Sequence, residues 1–119
     1  MKPEVLNRAL VRRFPVLVDG YLEVKRLWGG EEPGPHVVFG DVLVPFIRTA
    51  LTQEPSASEL APVMEFLEEL SSTADSDTLD VVVTSVLEPL LDVAHRPRFE
   101  EAMGPRTRGL WGRLVADMG

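Results

Sequence analysis

Apolar positions along this chain recur at helical spacing nearly throughout, and no stretch alternates apolar and polar residues over strand length. From about residue 3 to Arg13, Val5, Leu6, Ala9 and Leu10 share one face, and Pro3 suits a first helical turn. Phe14-Pro15 ends that helix, because a residue before proline is pushed out of the helical region. A second helix is predicted from Pro15 to about Trp28, with Leu17, Val18, Tyr21, Leu22 and Lys25 on one side. Gly20 weakens it by ~1 kcal/mol relative to alanine.

Glycine and proline cluster in Gly29-Gly30-Glu31-Glu32-Pro33-Gly34-Pro35, which reads as a loop. The third helix is predicted from His36 to about Thr52, with an apolar stripe through Phe39, Val42, Leu43, Phe46, Ile47 and Ala50. Pro45 falls inside it and is expected to kink it, leaving the Asp41 carbonyl without its donor. Ser58 is placed to cap a fourth helix reaching about Ser71, whose stripe is Leu60, Val63, Met64, Leu67 and Leu70. Asp77 is placed to cap a fifth, with Leu79, Val82, Val83, Val86, Leu87 and Leu90 on its inner face. Its valines favour a strand by propensity, but their period is that of a helix. Pro97 and Pro105 open two shorter helices, the last reaching about Met118 with Leu110, Trp111, Leu114 and Val115 inward.

The prediction is an all-α fold: a compact bundle of five to six helices in a single domain, residues 1–119. Its centre is an antiparallel helical hairpin at about 58–71 and 77–93. That pair is like one unit of a HEAT-type array, but no second copy follows at a fixed period.

Charge divides the chain into three parts. Residues 1–35 carry a net +1, residues 36–95 a net −10 and residues 96–119 a net +2, for −7 in all. An acidic block of this size argues against a nucleic-acid backbone as ligand and is compatible with a basic protein partner. A surface kept soluble by charge is the simpler alternative. The chain has no cysteine, which excludes disulfides, thiolate catalysis and zinc–thiolate sites. No signal-peptide core or membrane-length apolar run is present, so a cytoplasmic protein without membrane contact is expected.

Candidate chemistry is sparse. Asp92 and His95 have the i, i+3 spacing of a carboxylate–histidine metal pair, but a single pair leaves the ligand count short, and no metal is expected. His36 and Asp41 lie five apart, off the contact spacings of a helix. His36 reads as a helix-start residue whose ring packs on or bonds to the preceding loop. Gly40 suggests close approach by another element. The glycine cluster lacks the Lys-Ser/Thr of a phosphate loop, and no Gly-x-Ser-x-Gly elbow occurs. Neither a cofactor nor an enzymatic activity is expected. Trp28 and Trp111 read as lids on the core, with an interface role as the alternative.

The carboxylates form stripes opposite the apolar ones: Glu65, Glu68 and Glu69 on the fourth helix, and Asp77, Asp80 and Glu88 on the fifth. No lysine or arginine stands at i+3 or i+4 to offset them, which favours a partner.

One pattern crosses these segments: Phe14-Pro15, then Tyr21, Pro35-His36-x-x-Phe39-Gly40-Asp41, Phe66-Leu67-Glu68-Glu69 and Ser85-Val86-Leu87-Glu88. It resembles a family of small, poorly characterised bacterial proteins, some of them similar to immunity proteins that inactivate a secreted toxin. The resemblance implies no catalytic residues. With the charge pattern, it leads to the expectation of an immunity-type protein whose acidic face, Glu65 to Glu88, binds a basic toxin domain. Trp28, His36 and Asp41 are further candidate partner-binding residues. The alternative expectation is an adaptor with an apolar groove near Trp28 and Phe39. No oligomeric state is implied.

Overall fold

The structure is a computed structural model that describes residues 3–53 and 59–118, and every regular element among them is helical. Helix α1, Pro3–Arg13, buries Leu6 and Leu10 but leaves Val5 exposed. Phe14 leaves the helical region, as the following proline favours, and a single 3₁₀ turn, Pro15–Leu17, leads into α2, Val18–Leu27.

Helix α2 departs from its predicted role, for it buries no residue along its length. Tyr21 and Val24 lean on the core, while Val18 and Leu22, predicted to face inward, are exposed. A Cβ on Gly20 would come within 3.4 Å of Val42, so α2 touches the next helix at its glycine and covers little beyond it. Its end is a Schellman turn: Gly30 N–H bonds the Lys25 carbonyl at 2.9 Å and Gly29 N–H the Arg26 carbonyl at 3.1 Å, with both glycines at positive φ. Trp28, at the C-cap, is 49% exposed and forms no lid.

The loop that follows is anchored from two helices. The buried Asn7 amide donates to Glu32 Oε2 and to the Pro33 carbonyl, both at 2.8 Å. The Tyr21 hydroxyl donates to the same carboxylate at 2.5 Å, and Lys25 Nζ lies 3.7 Å from it. Burial alone would raise the Glu32 carboxyl, but the donors and the lysine outweigh it and hold it below its ordinary value. Burial and the Glu32 charge push Tyr21 up to about 12.

Helix α3 spans 35–52 in three registers: Pro35–Val38 α-helical, Phe39–Leu43 π-helical and Val44–Thr52 α-helical. Helix α4, Leu60–Ser71, buries the whole predicted stripe together with Phe66. The expected Ser58 cap lies outside the described residues. Helix α5 spans 76–90: Ser76–Asp80 α-helical, Val81–Leu87 π-helical and Glu88–Leu90 3₁₀. Its cap is Asp75 rather than the predicted Asp77. The Asp75 carboxylate accepts from Asp77 N–H at 3.2 Å and the Thr78 hydroxyl at 2.7 Å. Helices α4 and α5 pack along each other as the antiparallel hairpin.

Both π segments precede a proline. Val44 N–H bonds the Phe39 carbonyl and Glu88 N–H the Val83 carbonyl, each five residues back, and Pro45 and Pro89 come next. A proline cannot donate, so the bond four residues back is lost, and a wider register adjoins the gap in place of a sharp break. The widening also turns α5 about its axis, so that Val81 and Ser85 are buried beside the predicted Val82 and Val86.

His95, in the left-handed conformation at φ 62°, opens α6, Arg96–Glu101. The Arg98 guanidinium reaches back to the Leu51 and Gln53 carbonyls at 2.7 and 2.9 Å, satisfying the C-terminal end of α3. Helix α7, Pro105–Met118, buries Trp111 and Leu114. Trp111 is the lid that was predicted: it meets Phe99 edge-on at 5.4 Å, and its indole N–H donates to Glu100 at 2.7 Å. The core centres on Phe14, Phe39 and Phe66, with Phe66 edge-on to Phe14 at 5.6 Å. No helix among the described residues is long and apolar enough to cross a membrane.

Candidate functional site

The two π segments face each other. Near one end of the seam, His36 Nδ1 and the Ser85 hydroxyl share a 2.6 Å hydrogen bond, and His36 Nε2 lies 3.5 Å from Asp80 Oδ2. In the middle, Gly40 backs onto the Ser85 carbonyl, the one Pro89 deprives of its usual donor; a Cβ there would stand 3.6 Å away. At the other end, the Arg48 guanidinium donates to the Pro89 carbonyl at 2.6 Å and lies 3.8 Å from Asp92. Helices α3 and α5 therefore run side by side in the same direction, and His36 bonds across this seam rather than to the preceding loop.

The order serine, imidazole, carboxylate is that of a nucleophilic relay. Here the serine residue is only 8% exposed in mid-helix, and its hydroxyl is engaged by the ring. With the Nε2 proton facing Asp80, Nδ1 accepts from the hydroxyl, and the three groups tie α3 to α5.

The acidic stripes divide by what engages them. Glu68 is occupied within the fold: its carboxylate accepts from the Arg106 and Thr107 backbone N–H groups, both at 2.9 Å, and from the Thr107 hydroxyl at 3.0 Å. It caps α7 from another helix, where Gly104 has no side chain to do so. Burial would raise its carboxyl, but these donors hold it below its ordinary value. Glu69 pairs with Arg13, whose guanidinium also lies over the Phe66 ring at 5.5 Å. The hydrogen bond from Arg13 lowers the Glu69 carboxyl, and Arg13 is raised in turn. Helix α1 thus supplies the cation that local spacing lacks. Glu65 is exposed and adds its charge to the field at Arg13.

Asp77, Asp80 and Glu88 are exposed on α5, as is Asp41 on α3. None of the four has a lysine or arginine ion pair among the described residues; Asp80 has His36 and accepts from the Thr84 hydroxyl at 3.2 Å. The seam therefore brings together His36 and Asp80 from the predicted set, with Asp77 one turn before Asp80; Glu88 is exposed farther along α5, and Asp41 lies on the side of α3 toward α2. Glu68 and Glu69 are committed elsewhere, and Trp28 lies beyond α2.

Residues 7–117 match the family described as Domain of unknown function (DUF7674). The chain belongs to that family. No curated protein matches the chain, and no solved structure does. The matched span takes in both seam helices, the Glu68 cap and most of α7, so the family domain is this whole arrangement rather than its hairpin.

Two further predicted features move. Phe39 is fully buried and lines no groove. An open apolar groove of about 320 Å³ lies instead between the start of α2 and α3, lined by Val16, Leu17, Gly20, Val42, Pro45 and Phe46, with Asp41 at its edge. Asp92 and His95 fall after the last turn of α5 and share no helix, and no cluster of three or more potential metal ligands occurs among the described residues. Asn7, Ser85 and Arg98 were absent from the predicted site and support. Ser85 carried a signal in its place beside the apolar stripe, whereas Asn7 gave none.

Proposed function

We propose that this protein is a non-catalytic, cytoplasmic inhibitor that binds and neutralises a basic bacterial protein, a toxin domain, through the carboxylates of α5. The observation that carries the reading is that Asp77, Asp80 and Glu88 stand exposed on one helix with no lysine or arginine paired to them among the described residues. Unpaired like charges on a single helix repel one another, and a basic partner removes that cost. With Glu68 and Glu69 engaged inside the fold, the reading rests on the carboxylates of α5. The net −10 of residues 36–95 and the immunity-like sequence pattern support the same class of partner.

The test is co-expression with basic toxin domains sought in the reading frames beside the gene, read as cell growth, together with salt-dependent binding of the two purified proteins. The triple variant Asp77→Lys, Asp80→Lys, Glu88→Lys is expected to lose protection and to flatten the salt dependence of binding. Full protection by a folded triple variant overturns the reading.

A further inference from the structure

The open groove of about 320 Å³ follows from how α2 meets α3. Gly20 brings no side chain to that contact, and a Cβ there would stand 3.4 Å from Val42. Val16, at the start of α2, lines one bank; Val42, Pro45 and the half-buried Phe46 line the other. Val16 is 70% exposed, the highest value for a large hydrophobic residue among those described. A lone surface valine is ordinary, but this one continues an apolar trough, so covering both removes a joined apolar area from water.

One charge stands at this groove. Asp41 lines its edge, is exposed and has no ion pair among the described residues. No lysine, arginine or histidine lines the groove. Glu32, Glu68 and Glu69 are engaged inside the fold, whereas the Asp41 charge remains available to a partner. A cation placed on it at the margin of an apolar wall is partly shielded from water, where an ion pair is stronger than on an open surface.

Apolar walls with an acid at the rim select a segment that carries apolar side chains and a base beside them. The lining on α3 runs from Asp41 to Thr49, about 12 Å or roughly two helical turns. That length takes two apolar side chains at i and i+4, the spacing of an amphipathic helix laid in a groove. A small molecule suits the trough less well, because small-molecule sites enclose roughly 70% or more of their ligand and this one is open along its length.

We propose that the α2–α3 groove docks a basic amphipathic helix of a protein partner, with its apolar residues against Val16, Val42 and Phe46 and a lysine or arginine on Asp41. The groove is separate from the α5 carboxylates. Helix α3 turns Gly40 toward α5 and Val42 toward α2, two positions on nearly opposite sides of the helix. The groove therefore stands or falls apart from the toxin-binding surface.

The probe is a synthetic helix-forming peptide of about 15 residues, with two leucines four apart and lysines beside them. It is titrated into the isotope-labelled full chain and followed by NMR. The amide signals of Val16, Gly20 and Val42 are expected to shift saturably, with a Kd below about 1 mM. Asp41→Lys and Val16→Asp are each expected to raise that Kd at least about tenfold, as are glutamates in place of the peptide's lysines or alanines in place of its leucines. The triple variant Asp77→Lys, Asp80→Lys, Glu88→Lys is expected to keep the shifts at the groove, with the Kd changed less than about threefold. Far-UV circular dichroism confirms that each variant is folded. Absence of saturable shifts at the groove overturns the proposal, as does binding that Asp41→Lys and Val16→Asp leave unchanged. Shifts confined to α5 would show adsorption of a basic peptide on an acidic surface and overturn it too. Equally tight binding of hexylammonium would make the groove a small-molecule site, and shifts on raising the protein concentration alone would make the occupant a second copy; either result replaces the proposed partner.

Discussion

His36, at the start of α3, and Ser85, in the π-helical segment of α5, meet at 2.6 Å, and their hydrogen bond is one of the polar ties between the two helices. The serine hydroxyl is nearly enclosed, so removing the ring leaves it short of a partner. His36→Ala is expected to destabilise the fold by ~1–2 kcal/mol, and Ser85→Ala by less, because that change removes the group needing the bond. Urea denaturation of the two single variants and the double variant gives the coupling, expected at about 0.5–1.5 kcal/mol. A coupling near zero would show that the contact is energetically idle.

Glu68→Ala removes a side-chain cap on α7 and is expected to cost ~1–2 kcal/mol. Gly104→Ala is expected to act through the same interaction, since a Cβ there would lie 2.5 Å from the Glu68 carboxyl carbon. The two substitutions together are therefore expected to cost no more than Glu68→Ala alone. Additive losses in thermal melts would refute the shared mechanism.

Acid sensitivity follows from the same carboxylate and from Glu32. Both titrate below their ordinary value in the folded chain, so the unfolded chain binds more protons as pH falls. Their contribution to stability is complete above the ordinary glutamate value of about 4.3 and is lost as pH drops through the folded values. Melting temperature is expected to decline below about pH 5, less steeply for Glu68→Gln. An unchanged slope in that variant would exclude Glu68 as a source.

Two glycines are expected to respond in opposite directions. Gly40 has ordinary space for a Cβ, 3.6 Å from the Ser85 carbonyl, so Gly40→Ala is expected to be neutral or stabilising by up to ~1 kcal/mol. Gly29 sits at φ 71° in the turn that ends α2, so Gly29→Ala is expected to cost ~1 kcal/mol or more. Thermal unfolding of the two variants side by side checks both signs.

Much of the fold was legible in the sequence. The stripe Leu60, Val63, Met64, Leu67 and Leu70 is buried as its period requires, and Trp111 closes the core. The exposure of α2 was not legible, because its apolar residues have the same spacing as a buried face, and spacing does not say whether anything lies opposite. Of the candidate surface, Asp77, Asp80 and Glu88 were legible as exposed acids. Glu68 was not legible as a cap, because its partners at 106 and 107 become neighbours only when α7 folds back onto α4.

By itself the sequence determined the all-helical class, the hairpin, most of the core and the acidic character of the middle of the chain. Periodicity, capping and charge are properties of neighbouring residues, so they survive being read in one dimension. Only the tertiary structure decided which acids are free and which are engaged, that His36 reaches Ser85, and that α2 is left uncovered. Each of these depends on pairings between residues far apart in the chain, which the packing of helices on a common core brings within a few ångströms.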